Sequence, residues 1–400
     1  MNPFFCISFT GTYGLQGHVV VDSLVNGTSS GGVRIVSDLG IEEVRMLAAE
    51  MTLKYAYCGL PRGGAKCGIR MPSDLSREQR FAALEDVGRR LKALIDAGIY
   101  YPGMDMNCGP EEFKAIYRGA GYALGRMTDT SVYTAVFVAE AVKANAEILF
   151  EKHKKPLTVA VEGFGKVASH LAGLLDPEHF RIVALSTVAG AVHDQDGYSP
   201  DLLREFRSAH GDALVDHLPG KRLDSREDVL FLPVDILVPA ARVGSIHEGN
   251  VERVAARSVV PAANAPCTSE ALHVLQRKKI SVLPGFVCNA GGVLGSSLFD
   301  RGVPHPEVQG LASGPYRQAV STLLRHSLEL GEQPTELARR LACEMIRSRG
   351  QTPVSKAGRL LSILARRFSV AKRYANRHAA RDCAKHFAQL TDSTRRLSTD

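Results

Sequence analysis

Polar and apolar positions change rhythm near residue 150. Before that point, apolar side chains recur every three to four residues. Ile41, Val44, Ala48 and Met51 share one face, which predicts a helix over 41–57. The same spacing predicts helices over 77–97, roughly 110–118 and 131–150. Pro110 suits the first turn of the third, and Val138, Ala141, Val142 and Leu149 line one side of the fourth. The first strand-like run is His18 to Leu24, followed by an Asn26-Gly27 turn and the Gly31-Gly32 pair. LPRGGAKCG, after the first helix, reads as a glycine-rich loop. Beyond residue 150 come five short apolar runs, LTVAVEG, RIVALST, VDILVPA, SVVPAAN and ISVLPG, separated by helical stretches. That alternation predicts a parallel sheet covered on both faces. After residue 298 the pattern is helical to the end. The expected division is therefore 1–128, 129–300 and 301–400, with the last segment packing back on the first domain.

The length of 400 residues agrees with two or three domains. A hydrophobic fraction of 45% and a charged fraction of 23% fit a soluble globular chain rather than a disordered or collagen-like one. No apolar run is long enough to span a membrane. The first residues, MNPFFCISFTGTYG, lack a basic region and a long apolar core, which argues against a signal peptide. Eight cysteines without a CxxC pair argue against a disulfide framework and a zinc module, and no metal site is expected. Free thiols point to the cytoplasm. The net charge of +7 is uneven: residues 345–400 carry thirteen Lys/Arg and three acids, a net of +10. Without aromatic interleaving or a known nucleic-acid signature, that tail reads as a solvated basic face rather than a nucleic-acid site.

LTVAVE runs into Gly163-Phe164-Gly165-Lys166-Val167-Ala168, followed by a helical stretch. Strand, tight turn and helix around GxGxxA form a dinucleotide fingerprint. The first Gly allows the turn, the second lets backbone approach a pyrophosphate, and Ala168 permits close helix packing. This makes the second region a Rossmann-type doubly wound domain of an α/β protein. An acid about 20 residues on would hold the ribose 2′-hydroxyl of NAD. Here the next strand ends in Ser186-Thr187, and no evident Arg takes the acid's place, so NAD and NADP both remain open.

Lys54 near the end of the first helix, Lys66 among glycines, and Asp105 in YYPGMDMNCG are the candidate catalytic groups. A desolvated lysine beside another cation has a lowered pKa and can act near neutral pH. An aspartate in an apolar loop is expected to shift upward and exchange a proton with an amine.

GGVR (31–34), MTLK (51–54), LPRGGAKCG (60–68), GMDMN (103–107), SVYTA (131–135), GFGKVA (163–168), PAANAPCTSEA (261–271) and NAGGV (289–293) together resemble the glutamate/leucine/phenylalanine/valine dehydrogenases in order and spacing. The resemblance implies oxidative deamination of an L-amino acid to a 2-oxo acid and ammonia by a homo-oligomer using NAD or NADP, with hydride passing from Cα to the nicotinamide ring. By the same resemblance, Lys54 binds the α-carboxylate, Lys66 activates water, Asp105 moves protons to and from nitrogen, and Asn289 holds the substrate's polar end. Thr134 and Asn264 contact the nicotinamide and its ribose. Gly163 to Ala168, with Ser186, Thr187 and Ala240, complete the cofactor set.

Glutamate-acting members carry a lysine just before the GG of GGxR, where this chain has Ser30. A distal carboxylate buried there without its cation costs several kcal/mol by order of magnitude. Ser30, Gly31 and Gly103 are assigned to the substrate pocket. The small residues at 30 and 103 favour an apolar or aromatic side chain over glutamate. The alternatives are glutamate itself, or a non-catalytic relative using its basic tail. A 2-hydroxy-acid dehydrogenase would want a His in these motifs, and none holds one.

Overall fold

The computed structural model describes residues 3–125, 127, 129–151, 156–299, 301–350 and 379–396. The chain divides into two compact units, between Thr128 and Asp129 and again between Glu344 and Met345.

The first unit contains β1 (Phe5–Thr10), β2 (Gln16–Val21), β3 (Ser29–Val36), α1 (Ile41–Tyr57), β4 (Gly63–Arg70), α2 (Arg77–Asp96), β5 (Tyr100–Met104) and α3 (Pro110–Gly119). Its five-stranded mixed sheet has the order β1-β2-β4-β3-β5. The hairpin β1–β2 and the β2–β4 pair are antiparallel, while β3 is parallel to both β4 and β5. The predicted helices stand close to their expected bounds. α2 starts on a Ser76–Gln79 capping box, and α3 has Pro110 in its first turn. Leu84, Val87, Leu91 and Ile116 of α2 and α3 bury against Val33, Cys67 and Ile69 of the sheet.

The glycine-rich segment expected as a loop is instead a buried strand, β4. Its glycines serve packing. A Cβ at Gly64 would lie 2.1 Å from the Thr52 backbone nitrogen, so glycine lets α1 lie directly on the strand. Likewise GGVR is part of β3, and YYPGM is β5. The strand expected at 18–24 is β2, shifted towards the N-terminus, and its partner β1 gave no recognised signal.

The second unit contains α4 (Ser131–Leu149), β6 (Leu157–Glu162), α5 (Lys166–Ala172), β7 (Phe180–Thr187), β8 (Gly190–Tyr198), α6 (Pro200–His210), β9 (Lys221–Arg222), β10 (Ile236–Pro239), β11 (Ser258–Val259), α7 (Ser269–Arg277), β12 (Ser281–Val282), α8 (Gly285–Cys288), α9 (Gly291–Phe299), α10 (His305–Leu311), α11 (Arg317–Leu330) and α12 (Pro334–Gly350), then α13 (Ala379–Arg396). The five predicted strands form the parallel part of a seven-stranded sheet, β12-β11-β10-β6-β7-β8-β9. β8 and β9 extend it antiparallel, which the purely parallel expectation omitted. GAVHDQDGY mixes polar and apolar positions because it lies towards an edge.

Residues 301–400 were expected against the first domain. The described helices α10 and α11 group with the second unit, where α11 packs on α4 and α13 packs on α11. The physical reason is an apolar face: Val320, Leu323, Leu324 and Phe387 are buried there, and Phe137 of α4 meets the Tyr316 ring. From Met345 onward the end of α12 groups with the first unit. Most of the basic tail, 351–378, lies outside the described residues.

Candidate active site

In the first unit, three neighbouring elements bring the predicted catalytic groups together. Lys66 projects from β4, is 2% exposed, and donates to Asp105 Oδ2 at 2.7 Å. Arg34 of β3 donates through Nε to the same oxygen at 3.0 Å and through Nη1 to Glu43 at 2.8 Å. Gly32 makes this possible: a Cβ there would lie 2.6 Å from the Asp105 Cβ. Gly31 is as constrained, because its Cβ would overlap the Ala65 carbonyl, and its own carbonyl accepts from Tyr100 Oη at 2.9 Å.

Lys54, on the buried face of α1, is 4% exposed. Burial lowers its pKa to about 8, aided by the Lys66 charge and opposed by Glu50 and Asp105. Burial also lowers the pKa of Lys66, with Arg34 adding to the effect and Asp105 opposing it. The expected upward shift of Asp105 is corrected. Burial does push it up, but Lys66 and Arg34 outweigh burial and hold the carboxyl well below the usual range. The loop is polar where it matters, because two cations converge on one oxygen.

Ser30 is buried, and its hydroxyl donates to the Tyr101 carbonyl at 2.8 Å. Gly103 faces Gly32 across the β3–β5 pairing, and a Cβ there would make only ordinary contacts, at 3.9 Å. Arg62, which the sequence reading passed over, lies 4.9 Å from the Tyr101 ring centroid. Arg34 was also passed over as a functional group, although it stands inside the GGVR motif. Cys67, Cys108 and Cys288 are buried, and burial raises their thiols, Cys67 to about 12. They are packing residues.

In the second unit, β6 leads into the fingerprint turn. Gly163 has φ +86°, and a Cβ on it would strike Ala241 at 2.7 Å. Gly163 N–H donates to Ser186 Oγ at 3.0 Å, and Phe164 N–H donates to the Ser186 carbonyl at 2.6 Å. Phe164 and Ala168 are buried, Val167 is half-buried, and Gly165 and Lys166 are exposed. A Cβ at Gly165 would meet nothing within 4 Å, so this backbone opens outward at the start of α5. That cradle fits a pyrophosphate. Ala240 N–H donates to the Glu162 carbonyl at 2.7 Å, tying the β10 end to the turn. Thr134 Oγ1 donates to the Thr130 carbonyl at 3.1 Å. Asn289 Nδ2 donates to Asn264 Oδ1 at 2.9 Å, and its own Oδ1 is buried without a hydrogen-bond partner among the described residues. Thr187 is buried at the end of β7. Glu162, also missed, is a buried carboxyl directly before the turn, and burial raises its pKa to about 7.

Among the described residues, no group of three or more His, Cys, Asp or Glu could hold a metal ion, and no helix is long and apolar enough to cross a membrane.

Comparison with known proteins places these motifs in context. The glutamate/leucine/phenylalanine/valine dehydrogenase family matches residues 121–299, and its dimerisation domain matches residues 7–120. A glutamate dehydrogenase of Thermotoga maritima is 35% identical over 298 residues, covering 69% of this chain and 70% of its own. One from Aeropyrum pernix is 31% identical, covering 68% of each. Among solved structures, a hetero-hexameric glutamate dehydrogenase from Thermus thermophilus superposes with TM-score 0.72 at 24% identity, covering 88% of this chain and 91% of that one. An L-tryptophan dehydrogenase from Nostoc punctiforme gives 0.61 at 21%, covering 88% and 97%.

Proposed function

The chain belongs to the glutamate/leucine/phenylalanine/valine dehydrogenase family, and from that premise we propose that it oxidatively deaminates an apolar or aromatic L-amino acid rather than glutamate. It is an amino-acid dehydrogenase, an oxidoreductase whose hydride acceptor is NAD or NADP. When bound, NAD or NADP would supply the two-electron oxidation at the substrate Cα.

The chain's own residues do the rest. Protonated Lys54 binds the α-carboxylate. Neutral Lys66 takes a proton from the water that adds to the imino carbon. Ammonia then leaves, and the 2-oxo acid remains. Asp105 exchanges protons with the substrate nitrogen. Arg34 keeps that carboxylate in place between steps. Asn289, with its unpartnered oxygen, is assigned to the substrate's polar end. Thr134, Asn264 and Ala240 are assigned to the nicotinamide half of the acceptor, and Gly163 to Ala168 with Ser186 and Thr187 to the rest.

The observation that carries the substrate reading is Ser30. It holds a short hydroxyl, already donated to backbone, where a distal carboxylate would need a cation. Glutamate is the second reading. It is favoured by the names of the curated relatives and by Arg62, whose guanidinium lies over the Tyr101 ring within this unit. The dimerisation-domain match supports a homo-oligomer, and eight free cysteines support a cytoplasmic setting.

The test is a screen of the proteinogenic amino acids against both acceptors, followed by formation of the reduced nicotinamide. The proposal expects phenylalanine- or leucine-like substrates to lead, with Arg62→Ala leaving their turnover in place. Glutamate leading, and lost in Arg62→Ala, would establish the second reading instead.

A further inference from the structure

We infer that the dinucleotide site is built for a 2′-phosphorylated adenosine, with Arg222 as the anchor of that phosphate, so that this chain uses NADP in preference to NAD. The inference rests on the family's use of a nicotinamide dinucleotide and is independent of which amino acid is oxidised.

In a Rossmann unit, a carboxylate at the end of the second strand holds the ribose 2′-hydroxyl of NAD. An NADP site drops that acid and supplies a guanidinium. Here the second strand is β7, and the position after Ser186 is Thr187, a neutral side chain whose hydroxyl is committed. It donates to the Asp212 carbonyl at 2.6 Å and accepts from Ala189 N–H at 3.1 Å. The register of β7 is fixed against the fingerprint turn by the two hydrogen bonds from Gly163 and Phe164 to Ser186, so the end of β7 stands beside the turn, where a Rossmann unit holds the adenosine ribose.

Two carboxylates of the 211–216 segment, whose Asp212 carbonyl meets Thr187, each hold an arginine through one oxygen. Asp212 Oδ1 accepts from Arg207 at 2.5 Å, and Asp216 Oδ1 lies 3.1 Å from Arg222 Nη1.

Arg222 comes to the β7–β8 turn from β9. Its Nη2 donates to the Ala189 carbonyl at 3.1 Å, two residues past Thr187, and a Cβ on Gly190 would lie 2.4 Å from the same nitrogen. Glycine at 190, with φ +144°, thus gives the guanidinium its seat. The side chain is 44% exposed, and the guanidinium has five N–H donors, of which the turn and Asp216 engage two nitrogens. The remaining donors suit a phosphate, which guanidinium binds more strongly than it binds a neutral hydroxyl. The sequence conceals this residue because it arrives from the antiparallel extension of the sheet, 35 positions after Thr187.

The experiment measures equilibrium binding of 2′,5′-ADP and of 5′-AMP to the full chain by calorimetry at fixed ionic strength, so no amino-acid substrate is involved. The expected result is at least about tenfold tighter binding of 2′,5′-ADP, within the range of charge-assisted contacts. Arg222→Ala should remove most of that difference while leaving 5′-AMP affinity unchanged, and Arg222→Lys should keep part of it. Equal or tighter binding of 5′-AMP by the unaltered chain would overturn the inference. So would an undiminished preference in a folded Arg222→Ala protein. If the preference holds while the amino-acid screen finds no deamination, the functional reading fails and this one stands.

Discussion

Lys66 Nζ donates to Asp105 Oδ2 across 2.7 Å, on the same oxygen that takes Arg34 Nε at 3.0 Å. A single carboxylate therefore raises the pKa of Lys66 while burial and Arg34 lower it. In this structure the pair is closed, and both cations sit on the same carboxylate oxygen.

Asp105→Asn removes the largest influence that favours the protonated lysine. Lys66 should then lose its proton at lower pH. Residual activity should fall by about 10²–10⁴, and the acidic limb of its kcat/KM profile should move to lower pH. A limb that moves upward or stays fixed would contradict the pairing.

Lys54 must carry charge to hold a carboxylate, and burial lowers its pKa to about 8. The cation is present below that pH and is lost above it, so KM for the amino acid should rise as pH passes through about 8. Lys54→Arg keeps its charge at that pH and should flatten the rise. Steady-state KM measured across this range checks both.

Gly103→Ala adds a methyl where there is space for it, so folding should survive. The narrower pocket should favour smaller aliphatic substrates, by about 1–3 kcal/mol per methylene-sized change. Unchanged relative kcat/KM for phenylalanine and leucine would refute the placement of Gly103.

Much of this was readable in advance, and the reasons differ by unit. Strands of the second sheet announce themselves because they are buried on both faces, and Gly163 and Gly165 stand directly between strand and helix. The first unit's sheet was hidden. Gly31, Gly32, Gly63 and Gly64 look like loop residues in a linear chain, yet they lie within strands where α1, Asp105, a neighbouring strand or the Ser23–Leu24 segment presses against the backbone. The candidate lysines and aspartate were legible by motif. Their electrostatics were not, because Arg34 reaches Asp105 from 71 residues away.

Glu162 supplies a stability test. Burial raises its folded pKa to about 7 from the ordinary 4.5, so the fold favours the protonated form. Its contribution is fully present below pH 4.5 and is lost as pH rises towards 7, at most about 3 kcal/mol by linkage. Thermal unfolding should show the unaltered chain losing stability over that interval relative to Glu162→Gln. Parallel pH curves for the two proteins would exclude the shift.

The most direct test of the account is Lys66→Ala, assayed for oxidative deamination with the best substrate and acceptor of the unaltered enzyme, with circular dichroism to confirm folding. The account predicts a folded protein whose kcat falls by at least about a hundredfold, the lower bound for a lost proton-transfer group. A folded variant retaining activity within a few-fold of the unaltered enzyme would contradict it.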